Sequence, residues 1–246
     1  MELLIEPEIG SAAFAPGDYV EQQSFMRAGE IRELAQRAGI GPGASVLDVC
    51  CGVAGPGRFI TRELGCDYLG VDASARAIEI ASDRARDLPC RFEVRRVPPL
   101  PPGRFDVVLL LETILAFADK DALAGAIGAA LEPGGRFACT LEAGAPLTAA
   151  ERAAMPDADT VCLTPLDDVT ATLERAGLVV AWQEDHSAAH RATAAALADA
   201  FAADADAIAA RIGRRALDDL LAAHRLWIEW LDAGRVRKLA VVAERR

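Results

Sequence analysis

Lysine is nearly missing from this chain. Lys120 and Lys238 are the only two, and arginine carries the rest of the positive charge. Acids outnumber bases, 37 against 26, for a net charge of −11. That balance argues against unspecific binding to nucleic acid or to an anionic membrane. Arginine in place of lysine, with abundant alanine, looks like coding bias rather than chemistry. Histidine is scarce too, with His186, His190 and His224 alone. The six cysteines, Cys50, Cys51, Cys66, Cys90, Cys139 and Cys162, form no Cys-x-x-Cys pair and no cluster with histidine, which argues against a zinc site. No uncharged apolar run approaches the ~20 residues of a membrane span. The start, Met1 to Pro7, lacks the basic segment and apolar core of a signal peptide. The expected compartment is the reducing cytoplasm. There is no internal repeat.

What is present is a core. The 246 residues are 52% hydrophobic, enough for one large α/β domain. The most telling segment is Ser45-Val46-Leu47-Asp48-Val49-Cys50-Cys51-Gly52-Val53-Ala54-Gly55-Pro56-Gly57. It reads as an apolar strand, a turn of small residues and the start of a helix. Such a turn lets backbone N–H groups approach a ligand closely. A second apolar strand ends on Val71-Asp72-Ala73-Ser74, with Asp72 24 residues after Asp48. An acid at the tip of the next parallel strand is placed to accept hydrogen bonds from a ribose diol. A ribose-bearing cofactor follows from this pattern, and its kind does not.

The remaining pattern alternates. Strands are expected at 45–50, 67–72, 91–95, 105–111, 136–142, 178–184 and 236–243, and helices at 18–38, 56–64, 74–86 and 119–131. A further helix begins with Thr164 as N-cap and Pro165 as its first residue, and Gly177 ends it. The run Phe105 to Leu111 has the continuous apolar character of a strand buried on both faces. The alternation up to the sixth strand implies a doubly wound parallel sheet, and the whole reads as a Rossmann-like sheet of seven strands with an N-terminal helix. Residues 187–233 read as a helical insertion before the last strand, broken near Gly213, and its expected place is over the mouth of the cofactor site.

These residues resemble the class I S-adenosylmethionine-dependent methyltransferases over about 18–245. Asp48 to Gly55 is similar to the family's glycine turn, with Cys50 and Ala54 where glycines are usual. Asp72 matches the acid that binds the ribose hydroxyls. Phe105-Asp106 and Glu112-Thr113 match the segment beneath the methionine moiety, and Leu131 to Phe137 the family's helix-to-strand link. The layout of Glu184-Asp185, two helices, Trp227 and Ala233-Gly234-Arg235 looks like small-molecule N-methyltransferases of the glycine/sarcosine type, whose insertion is a lid over the acceptor. Tyr19-Val20-Glu21-Gln22-Gln23 is similar to an early segment of those enzymes near the cofactor. The resemblance implies S-adenosylmethionine as cofactor, held by Tyr19, Asp48, Cys50, Gly52, Ala54, Asp72, Ala73, Arg96, Val97 and Glu112. It also implies a small-molecule acceptor, with no nucleic acid or membrane partner. One position departs: the family's adenine-reading acid is replaced within Arg95-Arg96-Val97, and an arginine offers no acceptor. A backbone carbonyl then takes over, or the adenine pocket is remodelled.

Methyl transfer from a sulfonium needs mainly proximity and orientation. A base is needed only for a protonated acceptor. Candidates for catalytic contact are His186 and His190, which share one helix face at their spacing of four, and Glu112 at the carboxyl edge of the fourth strand. A metal is not expected, because two histidines are too few ligands. Cys50 and Cys51 read as small turn residues rather than nucleophiles. Leu217, Leu220, Leu221, His224, Ile228 and Leu231 form one helical stripe, core by default. Trp227 and Trp230 line an acceptor pocket or anchor the insertion. The expected activity is methylation of nitrogen or oxygen on a small molecule. Three alternatives stand beside it: a non-methylating reaction such as a cyclisation on the same fold, a nicotinamide-dependent oxidoreductase, and an inactive cofactor-binding subunit.

Overall fold

Apolar runs bounded by glycine and proline become strands here, and stripes of period near 3.6 become the helices that cover them. A computed structural model describes residues 10–21 and 24–246. The strands are β1 Ser45–Val49, β2 Asp67–Asp72, β3 Cys90–Val94, β4 Phe105–Leu110, β5 Leu131–Ala143, β6 Leu178–Asp185 and β7 Arg237–Arg245. The helices are α1 Ala28–Arg37, α2 Gly55–Leu64, α3 Ala75–Arg84, α4 Lys120–Ala130, α5 Ala149–Ala154, α6 Leu166–Arg175, α7 Ser187–Ala203, α8 Ala205–Ile212 and α9 Arg214–Asp232. The strands form one sheet in the order β3-β2-β1-β4-β5-β7-β6.

Side chains along β1 alternate between two cores. Leu47 and Val49 join Leu123, Ile127, Val169 and Leu173 of α4 and α6 on one face. Val46 joins Ile31, Leu34, Ile60 and Ile78 of α1, α2 and α3 on the other. Helices on both faces are what a sheet of continuous apolar strands requires.

Three points add to the sequence pattern or correct it. The first is the direction of the last strand, which the alternation leaves open: β7 runs antiparallel to both β5 and β6, between which it lies. The reason is the insertion α7–α9. It leaves the carboxyl end of β6 and enters β7 at that same edge, so β7 must run back down the sheet. The second is the helix expected at 18–38, which begins only at Ala28. Before it, Glu21 pairs with Arg58 at 2.9 Å and with Arg84. These contacts tie the segment across α2 and α3. Gln22 and Gln23 lie outside the described residues. The third is the start of α6, where Pro165 is the N-cap and Leu166 the first helical residue. Thr164 instead bridges to Ala143 of β5. Helix α5 was absent from the sequence reading; Thr148 caps it, accepting from Glu151 N at 3.2 Å.

Candidate active site

The turn after β1 has an unusual backbone. Cys50, Gly52 and Ala54 all lie at positive φ, 61°, 55° and 56°. Only glycine takes this region without cost, so Cys50 and Ala54 store local strain of order 1–3 kcal/mol each. The turn is pinned to β2: Cys51 N donates to Val71 O at 3.0 Å, and Gly52 N to Asp72 Oδ2 at 2.9 Å. Asp72 Oδ1 accepts from Ser74 N at 2.9 Å, and Ser74 Oγ caps α3 by accepting from Ala77 N at 3.1 Å. Each Asp72 oxygen thus uses one backbone donor and keeps acceptor capacity for a hydroxyl.

Close approach of backbones shapes the same region. A Cβ on Gly55 would sit 1.7 Å from the Glu21 carbonyl oxygen. On Gly57 it would meet the Tyr68 ring at 2.1 Å. The space left by Gly57 admits Tyr68, which is fully buried and donates to Asp48 Oδ2 at 2.5 Å. Burial pushes the Asp48 carboxyl up to about 7; the Tyr68 hydroxyl opposes that and Asp72 adds to it. Burial also holds both turn thiols protonated, Cys50 at about 12 and Cys51 higher still, which excludes a thiolate nucleophile.

From this turn a cavity of about 700 Å³ runs beneath α7–α9. Tyr19, Asp48, Cys50, Gly52, Asp72, Glu112 and His190 line it. Ala54, Ala73, Arg96, Val97 and His186 do not. Ala54 is fully buried as the residue before α2, so it shapes the turn instead. Ala73 and Arg96 are exposed, and Val97 lies against the core under α4. His186 faces Glu30 and Glu184, each at 3.7 Å.

The far wall comes from the insertion. Leu197, Phe201, Leu220, Ala223, Trp227 and Leu231 make it apolar. His224 belongs to that wall rather than to the inner core, with Nδ1 2.9 Å from Leu220 O. Burial lowers its pKa. The two tryptophans divide the roles expected of them: Trp227 lines the cavity, while Trp230 is buried with Met155, Val161, Leu163 and Val236 as an anchor.

The floor is charged and buried. Lys238 of β7 is 2% exposed and ion-pairs with both Glu112 and Glu142. Glu112 also accepts from the Thr140 hydroxyl at 2.7 Å, while its own N–H donates to that oxygen, and it sits at φ 60°. Burial works against ionising Glu112, but Lys238, His190 and Thr140 outweigh it and bring the carboxyl down to about 2. Glu142 goes the other way. Burial and the neighbouring Glu112 raise its pKa against the pull of Lys238, and its Oε2 has no partner. His190 is 1% exposed, and burial lowers its pKa to about 3, so the ring is neutral.

Sequence reasoning missed Glu142, Lys238 and Glu30. Lys238 carried a signal, a charge inside the apolar strand Lys238-Leu239-Ala240-Val241-Val242. Glu30 carried none. It lies on α1, yet its carboxylate is 3.7 Å from both His186 Nδ1 and His190 Nε2. The histidine pair therefore has a third possible ligand that spacing along the chain did not reveal.

The profile of the methyltransferase domain matches residues 21–183. Phosphoethanolamine N-methyltransferase 1 of Arabidopsis thaliana is 33% identical over 121 residues, 46% of this chain but 25% of that protein. Methyltransferase GfsG of Streptomyces halstedii is 30% identical over 182 residues, 69% of this chain and 65% of that one. Among solved structures, the [4+2]-cyclase SpnF superposes with a TM-score of 0.77 at 21% identity, over 97% of this chain and 91% of that chain. The chain belongs to the methyltransferase-domain family and spans less than two thirds of the length of these two curated relatives. The residues fit the S-adenosylmethionine that the resemblance implies: a strained small-residue turn leaves open space at Gly52, and Asp72 keeps free acceptor capacity beside it. Among the described residues, no helix is long and apolar enough to cross a membrane.

Proposed function

We propose that this enzyme methylates a nitrogen or oxygen atom on a small molecule whose body is largely apolar. The observation that supports it is one cavity joining the Asp48–Gly52–Asp72 turn to a buried charged floor under the apolar wall of α7–α9. S-adenosylmethionine supplies an already activated methyl group. Asp72 accepts from the ribose hydroxyls, while Tyr19, Asp48, Cys50 and Gly52 surround the rest of the cofactor. Ala54 acts through the turn, and Ala73, Arg96 and Val97 have no cavity position from which to touch it.

The insertion is the lid that excludes water from the acceptor. Its aliphatic and aromatic wall holds the acceptor's body. Glu112, anionic and fixed by Lys238, accepts a hydrogen bond from the acceptor's N–H or O–H and aims its lone pair. Neutral His190 contacts the same end. Glu142, with its raised pKa and unpartnered Oε2, takes up the proton released. His186 stands behind His190 and acts on the acceptor only through it.

The test uses methyl-labelled S-adenosylmethionine with a panel of amphiphilic amines and alcohols. Label in the product, matched one to one by S-adenosylhomocysteine, is the expected result. An acceptor that rearranges or cyclises while the label stays on the cofactor overturns methyl transfer, and the panel without any transfer overturns the acceptor class. With an acceptor in hand, Glu142→Gln lowers kcat by on the order of 100-fold and leaves cofactor affinity unchanged.

A further inference from the structure

We propose that Glu30, His186 and His190 form a site for one divalent transition-metal ion of the zinc type, joining α1 to the first turn of the lid. Nothing in methyl transfer calls for these three groups to meet.

The geometry is convergent. His186 and His190 lie one turn apart at the start of α7, with His190 N donating to His186 O at 2.9 Å and the rings stacked at 6.2 Å. Glu30 reaches them from α1, where its Oε2 also accepts from Arg27 N at 2.8 Å and so fixes the carboxylate. Its Oε1 is 3.7 Å from His186 Nδ1 and its Oε2 3.7 Å from His190 Nε2. All three ligand atoms lie within 4.8 Å of one another. Tetrahedral ligands at zinc distances are spaced about 3.4 Å apart, so closure takes small side-chain movements.

The second observation is what these nitrogens lack. His186 Nδ1 and both ring nitrogens of His190 are buried without a hydrogen-bond partner. The two residues are 8% and 1% exposed. At 3.7 Å the contacts to Glu30 are too long for hydrogen bonds. Native proteins seldom leave three ring nitrogens on two adjacent histidines buried and unsatisfied, and two of these face one carboxylate. A cation at the centre would satisfy two of them and the acid together.

The donor chemistry points the same way. Two imidazoles and one carboxylate suit zinc and its neighbours, and leave a fourth position for water or a ligand. On the other side of the His186 ring, Nε2 lies 3.7 Å from Glu184 Oε2, so a small shift of that exposed side chain would supply the outer carboxylate that metal-bound histidines commonly have. The nearby cations are already engaged. Arg27 donates to Thr193 Oγ1 and Ala189 O, and Lys238 is paired with Glu112 and Glu142.

The test strips the full chain with chelator and titrates it with Zn2+ alone, then with Co2+. One equivalent of Zn2+ more than the His186→Asn/His190→Asn double variant binds is expected. Saturating Zn2+ raises the wild-type thermal midpoint by several degrees and leaves that of the double variant in place. Co2+ shows d–d absorption without a thiolate charge-transfer band, which separates this site from the six cysteines. Glu30→Gln keeps the side-chain shape and serves if the double variant fails to fold; it too loses the extra equivalent. Equal uptake by wild type and Glu30→Gln, or Co2+ spectra carrying only thiolate bands, overturns the site.

Discussion

Asp72 shows how one side chain ties the turn after β1 to the turn after β2. It accepts from Gly52 N and Ser74 N while its remaining lone pairs face the cavity. On the proposed reading, removing its carboxylate takes away charged hydrogen bonds to the cofactor's ribose, each worth about 1.5–3 kcal/mol. Asp72→Ala is therefore expected to weaken S-adenosylhomocysteine binding in calorimetry by roughly 10–100-fold, with the far-ultraviolet circular dichroism unchanged. Asp48 makes a different prediction, for pH. Its folded pKa is raised to about 7, so the folded state holds that proton more tightly than the unfolded chain. The resulting stability is complete below the ordinary carboxyl range and is lost as pH rises towards 7. In the cofactor-free protein the Asp48 contribution falls by at most about 1.4 kcal/mol per pH unit in that window. Chemical denaturation at pH 5, 6 and 7 is expected to give a smaller loss of stability with rising pH in Asp48→Asn than in the wild type. Identical slopes would mean that Asp48 titrates normally.

Elements meet here through missing side chains. Helix α2 begins beneath the Glu21 carbonyl because Gly55 has no Cβ to collide with it. Gly55→Ala forces that backbone aside and costs about 3 kcal/mol, a fall of roughly 6–12 °C in thermal midpoint. Gly125→Ala is the control. It lies on the exposed side of α4 with nothing within 4 Å, so alanine there stabilises the helix by about 0.5–1 kcal/mol. Calorimetric melting that shifts both variants alike would show that close approach at Gly55 is not what matters. The strands themselves were legible in the sequence, since apolar runs such as Phe105 to Leu110 need no tertiary information to declare themselves. The segment before Ala28 was not. Its apolar spacing suggested helix, but Glu21 is held by Arg58 and Arg84, two arginines on other helices, and tertiary pairing overrode local propensity.

The whole molecule has a rigid sheet and a separate helical cover. Two large core clusters flank the sheet, whereas α7–α9 rest on two smaller ones, around Leu197, Phe201, Ile208 and Leu217 and around Trp230. Less buried apolar surface means a lower free energy of local opening. In hydrogen exchange, amides of α7–α9 are expected to exchange faster than those of β1, β4 and β5. S-adenosylhomocysteine is expected to slow exchange in α7 and α9, because both helices line the cavity proposed for the cofactor. Equal protection in lid and sheet, unchanged by ligand, would contradict this division.

The sequence alone determined the sheet, its glycine turn and the acid at the tip of β2, because each is written in residues close together along the chain. It also placed a helical insertion before the last strand. Only the tertiary structure decided that β7 runs backwards, that Lys238 meets Glu112 and Glu142, and that Glu30 meets His186 and His190. Those groups come from distant elements, and their contacts depend on where the chain returns to the carboxyl edge of the sheet. Burial there then sets which of them carry charge, a property that no local pattern of residues encodes.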